Sequence, residues 1–391
     1  MPSGSRGAIW SRDFLLLFGS GMLFWAAFLL FLPTISLYVV EGLGCSPAQV
    51  GLVAGFHAFG AMLIRPFAGD ALDRWGRRWV YLACLLMFSV ACFCYLFATS
   101  YPLLVVIRFL FGLPFGVGTA AGMTIAGDLA PPARRGEAVG LFALAQTLSI
   151  AIAPALAVKI LDAAHFSGLF ATAGCLALAA FLLACLLRYK PIPQHHPRLS
   201  LSSLLEPRAI PAALTVAFQG ATYGATSSFL PLYGRELHIQ NVGWYWLTYA
   251  LGQIVARAVA GRVFDRQGPR WLVPTGYALL SCSFVLLALW RTPVGFVAAG
   301  LVHGLGFAIT WPSLQTMSLA QVAPARRGAA SATFFNGYDL GVSSGSYAMA
   351  FIVGALGGYS QMYCVAAMLL VAPILLFCTW TLPRYRPTAE P

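Results

Sequence analysis

Charged side chains are scarce in this sequence. Asp, Glu, Lys and Arg together make up 9% of the 391 residues, whereas hydrophobic residues make up 59%. A soluble globular domain needs a much larger share of charged residues to cover its surface. The composition excludes that class and indicates a protein that lies in a membrane.

The sequence also lacks the patterns on which most enzymes and metalloproteins depend. It has no Cys-x-x-Cys pair, no metal-ligand spacing, no phosphate-binding loop and no nucleophile with an accompanying base. The nine cysteines fall almost entirely within apolar stretches, where cysteine serves as a small packing residue. We therefore expect no enzymatic activity, no metal site and no cofactor.

Apolar runs long enough to cross a bilayer as a helix, about 20 residues, recur along the chain. Because they lack the alternation of membrane β-strands, we predict an all-α integral membrane protein. Twelve transmembrane helices are expected, in two groups of six. The predicted spans are 14–40, 47–69, 79–99, 103–127, 138–161, 166–188, 210–233, 242–262, 270–290, 293–317, 329–354 and 361–382.

A basic motif occurs twice, at a fixed offset. Arg65 to Arg78 reads RPFAGDALDRWGRR, and Arg257 to Arg270 reads RAVAGRVFDRQGPR, 192 residues later. The sequence PARRG recurs at the same offset. Two matches at one offset predict a duplicated unit. The shared residues are Gly69, Asp73, Arg74 and Gly76 in the first copy and Gly261, Asp265, Arg266 and Gly268 in the second.

The duplication predicts two six-helix halves joined by a linker. The N-terminal half covers 1–188, a cytoplasmic linker covers 189–209, and the C-terminal half covers 210–391. The linker is the one long polar stretch, and its prolines and its histidine pair, His195 and His196, are typical of a solvated connection.

The net charge of +12 reflects membrane topology rather than nucleic-acid binding. Most of the 24 lysines and arginines lie at the termini or in alternate loops, on the side that carries the repeated motif. By the positive-inside rule, these loops and both termini are cytoplasmic in the plasma (inner) membrane. We expect the lipid bilayer as a partner, no nucleic acid, and a monomer.

The stretch Gly69-x-x-x-Asp73-Arg74-x-Gly76-Arg77-Arg78 resembles a loop signature of the major facilitator superfamily, and its echo lies in the corresponding loop of the other half. Two further stretches resemble motifs of the same family. They are Arg108 with Gly112, and Asp128 with the PPARRGEA that begins three residues later. The resemblance covers the whole chain and implies a secondary transporter.

The span 138–161 is similar to the antiporter motif of the family, which spaces three glycines ahead of a proline. Gly140 and Pro154 match it, whereas Ser149 and Ala153 stand where the motif has glycines. Because small residues are kept, close helix packing is still expected there.

The repeated loop is expected to act as a conformational latch. Glycines at 69 and 76 allow two helices to approach around a tight loop, and Asp73 is expected to accept hydrogen bonds from the first amides of the helix after the second PARRG. Arg77 is placed within reach of Asp128. Alternatively, the loop only fixes topology through its positive charge.

Two charges lie within predicted spans, away from their ends. Asp339 is about ten residues into the span 329–354, where an unpaired charge costs about 2.5 kcal/mol or more. A carboxyl group in such a setting holds a proton more readily than in water, so Asp339 is a candidate for proton coupling. Arg108 stays charged and would bind an anionic group or an acid. The alternative is a static ion pair between the two.

Further candidates for substrate contact or proton coupling are polar or aromatic residues within the spans. Gln219 and Asn336 offer amides, and Tyr223 and Trp311 offer aromatic surface for an amphipathic ligand. His57 and His303 can titrate, although a lone histidine in a membrane helix is more often a hydrogen-bonded packing residue.

We predict alternating access with a small-molecule substrate and the proton gradient as driving force. The antiporter-like stretch and the one deep acid, Asp339, favour proton-coupled export of a small amphipathic or zwitterionic molecule. The overall pattern, including Asp339-Leu340-Gly341, also resembles sugar-efflux and opine-metallophore exporters. The alternatives are a proton symporter that imports such a solute, a non-transporting membrane receptor and a lipid scramblase.

Overall fold

The computed structural model of the chain describes residues 9–131, 134–189, 205–323 and 326–385, and it describes only the backbone of 258–267. The histidine pair of the linker lies outside these residues. Nine helical segments in the described part are long and apolar enough to cross a bilayer. The main helices are α1 (Arg12–Leu30), α2 (Pro47–Arg74), α3 (Arg77–Cys94), α4 (Tyr101–Leu129), α5 (Arg135–Cys185), α6 (Ile210–Glu236), α7 (Gly243–Gln267), α8 (Pro269–Leu289), α9 (Pro293–Ala320), α10 (Arg327–Leu356), α11 (Tyr359–Leu369) and α12 (Val371–Leu376).

Two segments depart from the predicted boundaries. The helix α5 runs for 51 residues, with one break in its helical geometry at His165, where φ is 55° and ψ is −171°. The predicted spans 138–161 and 166–188 therefore follow each other without a loop. In the span 14–40, α1 ends at Leu30 and helix resumes at Ile35. Pro33 lies in this gap, because its ring and missing N–H interrupt a helix.

Glycines bring α2 and α4 into close contact, and the same contact recurs between α7 and α9. A Cβ on Gly112 would overlap the carbonyl oxygen of His57, and a Cβ on Gly304 would overlap that of Tyr249. Both residues of the second contact lie 192 positions after those of the first. Small residues permit this approach of backbones in a bilayer, where helix association depends on van der Waals packing.

The described parts before and after the linker, 9–189 (the first half) and 205–385 (the second half), touch mainly at one end. A Cβ on Gly51 would meet the backbone of Ser346, and a Cβ on Gly243 would meet that of Ala155. These contacts lie away from the arginine-rich loops. The end that carries those loops is called the basic end below, and the opposite end the closed end.

The basic end is open. Apart from the adjacent residues of the same helix, no described residue lies within 4 Å of the position that a Cβ would take on Gly69 or Gly140. The closed end also carries an ion pair between Glu41 and Arg235, with Oε1 and Nε 3.3 Å apart. The interface between the halves is therefore closed at one end and open toward the basic loops.

Near its end, each copy of the repeated motif has a glycine with positive φ. Gly76 precedes α3 with φ of 83°, and Gly268 precedes α8 with φ of 68°. Residues with a Cβ rarely adopt this region, so the turn itself requires glycine. The expectation that Gly69 also serves close packing is wrong for this conformation, because its face is exposed and open.

We expect Gly76→Ala to lower the thermal unfolding midpoint of the purified protein, because its φ of 83° and ψ of 148° lie in a region that essentially only glycine adopts, and a residue with a Cβ is strained there by about 1–3 kcal/mol. Gly69→Ala is the matched control: it lies in the same motif, within a regular helix and with free space around it, and should leave the midpoint unchanged or raise it. An equal loss in both variants would contradict the role assigned to the turn.

Candidate functional site

A buried ion pair joins the two halves. Arg65 on α2 donates from Nε to Asp339 Oδ2 on α10 at 3.0 Å, and its Nη2 lies 2.9 Å from the same oxygen. The two side chains are 7% and 11% exposed. Asp339 lies about 18 Å along α10 from its basic end, at 1.5 Å per residue. The pair therefore lies inside the protein, at membrane depth.

The surroundings of this pair are partly apolar. The guanidinium carbon of Arg65 lies 4.8 Å from the centre of the Phe335 ring, in the range of a cation–π contact. Its Nη1 donates to Thr119 Oγ1 at 3.4 Å. Removing water from both charges is costly, so their mutual attraction must offset that cost for as long as both remain charged.

Arg108 is not the partner of Asp339. Its Nε donates to the carbonyl of Val53 at 3.3 Å, its Nη1 to the hydroxyl of Tyr95 at 3.4 Å, and it lies over the ring of Phe111. The static pair between Arg108 and Asp339 that the sequence left open is therefore absent from the described contacts. Arg108 lies near the start of α4, toward the closed end, whereas Asp339 lies nearer the basic end.

His57 lies beside Arg108 in an aromatic cage. Its ring centre is 5.1 Å from that of Phe28 and 5.0 Å from that of Phe115, and its Nδ1 is buried without a hydrogen-bond partner among the described residues. A cavity opens here, lined by both side chains together with Phe28, Tyr223 and Ser227. An unsatisfied buried nitrogen beside a cavity is a candidate for ligand contact.

His303 has a different environment. Its Nδ1 lies 2.6 Å from the hydroxyl of Tyr245, and the ring packs edge-on against Tyr249 and Phe284. The residue is 1% exposed. These contacts are those of a hydrogen-bonded packing residue, the more common role of a lone histidine in a membrane helix.

The candidate amides of the second half lie near an aromatic cluster. Gln219 accepts from Thr310 through Oε1 at 2.8 Å, but its Nε2 has no partner among the described residues, nor does Oδ1 of Asn336. Trp311 stacks on Phe307 at 5.6 Å. The cluster also includes Tyr223, Tyr338 and Trp246. Free amide groups beside aromatic rings suit an amphipathic ligand.

Ion pairs stabilise the arginine-rich loop of the first half. Arg77 donates from Nη1 to Asp73 Oδ1 at 2.6 Å and from Nε to Asp128 Oδ2 at 3.2 Å. Arg74 donates to Asp70 at 2.8 Å. The expected reach between Arg77 and Asp128 is present. The expected contact of Asp73 with the amides of α10 is not among the described contacts, since the Asp73 side chain is 43% exposed and binds Arg77.

This difference follows from the open basic end. The loop can reach α10 only when the halves approach there, and in this conformation they are apart. In the second copy, the side chains of Gly261, Asp265 and Arg266 lie outside the described residues. Of the four residues that this copy shares with the first, Gly268 is the one whose geometry is described in full.

The residues of the antiporter-like stretch have different environments. Ser149 donates to the carbonyl of Met22 on α1 at 2.9 Å, and Ala153 is 2% exposed. Pro154 lies inside α5 without breaking it. Gly140 is exposed at the open basic end. Small residues thus give close packing at 149 and 153, as expected from the sequence.

Sequence reasoning missed the role of Arg65. Arg65 is the first residue of the repeated motif and lies near the basic end of its predicted span, where a cation needs no partner across the interface to be explained. One feature of the sequence points to Arg65. Arg257 lies 192 residues after it, so both copies of the motif have an arginine inside a predicted span. In the structure Arg257 donates to Thr147 and Gln253, each at 3.2 Å.

The comparison with known families agrees with this architecture. The model of the Major Facilitator Superfamily matches the chain over residues 16–242 and again over 212–391. The chain belongs to the major facilitator superfamily. It is a multi-pass membrane transporter rather than an enzyme, with a small molecule as substrate.

Relatives within the superfamily are moderately similar. An uncharacterized MFS-type transporter of Burkholderia mallei is 28% identical over 355 residues, which cover 87% of this chain and 84% of that protein. The staphylopine export protein of Staphylococcus aureus is 25% identical over 369 residues, covering 89% and 91%.

Solved structures share the fold. The nucleoside transporter NupG superposes with a TM-score of 0.76 at 16% identity, covering 94% of this chain and 99% of that one. The human organic anion transporter MFSD10 gives 0.72 at 18% identity, covering 93% and 98%. At these identities the likeness concerns the fold alone.

The buried pair predicts a strong coupling between two substitutions. We expect Arg65→Ala or Asp339→Ala alone to lower the stability of the folded protein by about 3–5 kcal/mol, because each leaves one buried charge without its counter-ion. The double variant should be more stable than either single variant. Thermal unfolding of the four proteins in detergent measures this cycle, and additive losses would show that the pair is not coupled.

Proposed function

We propose that the chain is a secondary transporter of two duplicated six-helix halves, 1–188 and 210–391, joined by the linker 189–209. The repeated contacts support the duplication: the packing of Gly60 on Phe109 recurs as that of Gly252 on Leu301, again 192 residues later. The two matches of the family model, over 16–242 and over 212–391, support it too. Such halves rock about a site at the middle of the membrane.

The transporter exports a small amphipathic or zwitterionic molecule in exchange for protons. The observation that carries this proposal is the Arg65–Asp339 pair, which is buried and spans the two halves. When Asp339 takes up a proton, the attraction to Arg65 is lost and the halves are freed to move. When the proton leaves, the pair re-forms. A proton and a conformational change are thereby linked through one carboxyl group.

The direction of export draws on similarity alone. The chain is 25% identical to a protein named for the export of staphylopine. The same ion pair would also serve a symporter that imports its substrate. The directions of proton flux and solute flux distinguish the two. The proton gradient supplies the driving force in either case.

The basic loops face the cytoplasm in this proposal, as the positive-inside rule expects of a plasma-membrane protein. The open basic end then makes this conformation inward-facing. In the outward-facing conformation the first-copy latch, with Asp73 and Gly69, meets α10 and closes the cytoplasmic end. Arg77 and Asp128 keep the loop in shape for that contact.

We expect Asp339→Asn to abolish substrate-driven proton movement while the protein remains folded, because the asparagine oxygen still accepts from Arg65 but cannot exchange a proton. The measurement uses the protein in liposomes that contain a pH-sensitive dye. A panel of sugars, zwitterions and amphipathic cations is applied, and the fluxes of proton and solute are followed in both directions.

Glu137→Gln is the matched control. Glu137 binds Arg134 on the exposed basic end and lies away from the interface, so proton movement should persist. Unchanged coupling in Asp339→Asn would refute the proton role of this residue. Folded wild-type protein that moves no proton with any solute of the panel would refute proton-coupled transport of these classes and favour a receptor or a scramblase.

The latch gives a separate prediction. We expect Gly69→Leu to leave the unfolding midpoint unchanged, because the space around Gly69 is empty in the conformation described here. The larger side chain should prevent closure of the basic end and slow transport about tenfold or more, if closure loses 1.4 kcal/mol or more. Transport assays with Gly69→Ala as the smaller control test this, and an unimpaired rate would count against the latch.

A further inference from the structure

Two arginines occupy equivalent positions in the two copies of the repeated motif. Arg65 opens the first copy on α2, and Arg257 opens the second on α7. Each reaches across to the other half, Arg65 to Asp339 on α10 and Arg257 to Thr147 on α5. Thr147 itself lies 192 residues before Asp339. The two contacts therefore join equivalent positions of the two copies of the repeat.

The two contacts differ in one chemical respect. Arg65 binds a carboxylate, whereas Arg257 donates from Nη1 to Thr147 Oγ1 and from Nη2 to Gln253 Oε1, which are both neutral acceptors. Among the described ion pairs, none includes Arg257. A guanidinium at membrane depth pairs with an acid or with backbone carbonyl oxygens, and neither partner described for Arg257 is one of these. The position that Asp339 fills on one side lacks a carboxylate on the other.

The position of Arg257 makes it accessible to a ligand. Its two acceptors are buried, with Thr147 1% and Gln253 2% exposed, but Arg257 itself is partly exposed. It lies about 15 Å before the end of α7, at 1.5 Å per residue, on the side of the open basic end. An anion that enters the opening between the halves can thus reach the guanidinium.

We propose that Arg257 binds an acidic oxygen group of the transported molecule, in the place that corresponds to Asp339. The planar guanidinium can hold two oxygens of a carboxylate or a phosphate side by side. The bound group then lies between α7 and α5, beside Thr147. The inference rests on the proposed transport function and adds the substrate class to it: molecules that carry at least one acidic group.

The test uses a substitution that places a carboxylate of the protein beside Arg257. In Thr147→Asp, a carboxylate stands beside Arg257 and competes with the ligand, and in Arg257→Gln the cation is removed. Thr147→Asn is the matched neutral control. Arg257→Lys keeps the charge but loses the planar fork, so it should retain part of the binding.

Binding is measured by the shift of the unfolding midpoint of the purified full-length protein. The probes are matched pairs, phenylacetate with phenylacetamide and phenyl phosphate with phenol, together with inorganic phosphate. At least one acid should raise the midpoint while its neutral partner does not. Its apparent affinity should fall about thirtyfold or more in Arg257→Gln and in Thr147→Asp, as for loss of one member of a buried charge pair, and should persist in Thr147→Asn.

The pattern across the probes identifies the acidic group, since carboxylate and phosphate appear in separate pairs. Equal stabilisation by acid and neutral partner, undiminished binding in both Arg257→Gln and Thr147→Asp, or no stabilisation by any acid would overturn the inference. If a neutral or cationic solute drives proton movement that Asp339→Asn abolishes, the proposed transport function stands and the role of Arg257 in binding an acid fails.

Discussion

The interaction on which the rest of this structure depends is the ion pair between Arg65 and Asp339. Both charges lie at membrane depth, where neither is stable alone, and they belong to different halves of the protein. Each half therefore carries a charge that only the other half compensates. A bilayer supplies little hydrophobic force to hold helix to helix, so this electrostatic dependence weighs more there than in a soluble protein. Any change in the protonation of Asp339 acts directly on the interface.

The two copies of the repeat share their helix-packing contacts but differ in some of their charged residues. Glycine contacts recur at the same offset in both halves, because close backbone approach is needed wherever two helices cross. Two charges within the spans, those of Asp339 and Arg108, do not recur. Asp339 corresponds to Thr147, and Arg108 corresponds to Gly300. A substrate and a proton each need one site rather than two, so the positions where the repeat breaks are those expected to carry function.

The sequence was sufficient to predict the helical membrane fold, the family and Asp339 as the exceptional acid, because each follows from composition or from a local pattern. It was not sufficient to predict the partner of Asp339. Arg65 and Asp339 are 274 positions apart, and the pairing depends on how α2 and α10 cross. The contact of Asp73 with α10 requires a closed basic end, and the structure has that end open. A motif indicates which residues act together, but the conformation decides when they meet.

The closed end shows how little needs to be broken for the halves to move. Its described contacts include backbone approaches at Gly51, Gly55 and Gly243 and the ion pair between Glu41 and Arg235, whose side chains are 43% and 55% exposed. An exposed pair contributes about 0–1 kcal/mol, and backbone contacts made through small residues separate without leaving a large apolar surface to hydrate. The closure expected of the latch at the basic end replaces contacts of the same kind. In the proposed cycle the two conformations would therefore differ by only a few kcal/mol, which a single proton at Asp339 or a single bound anion would shift.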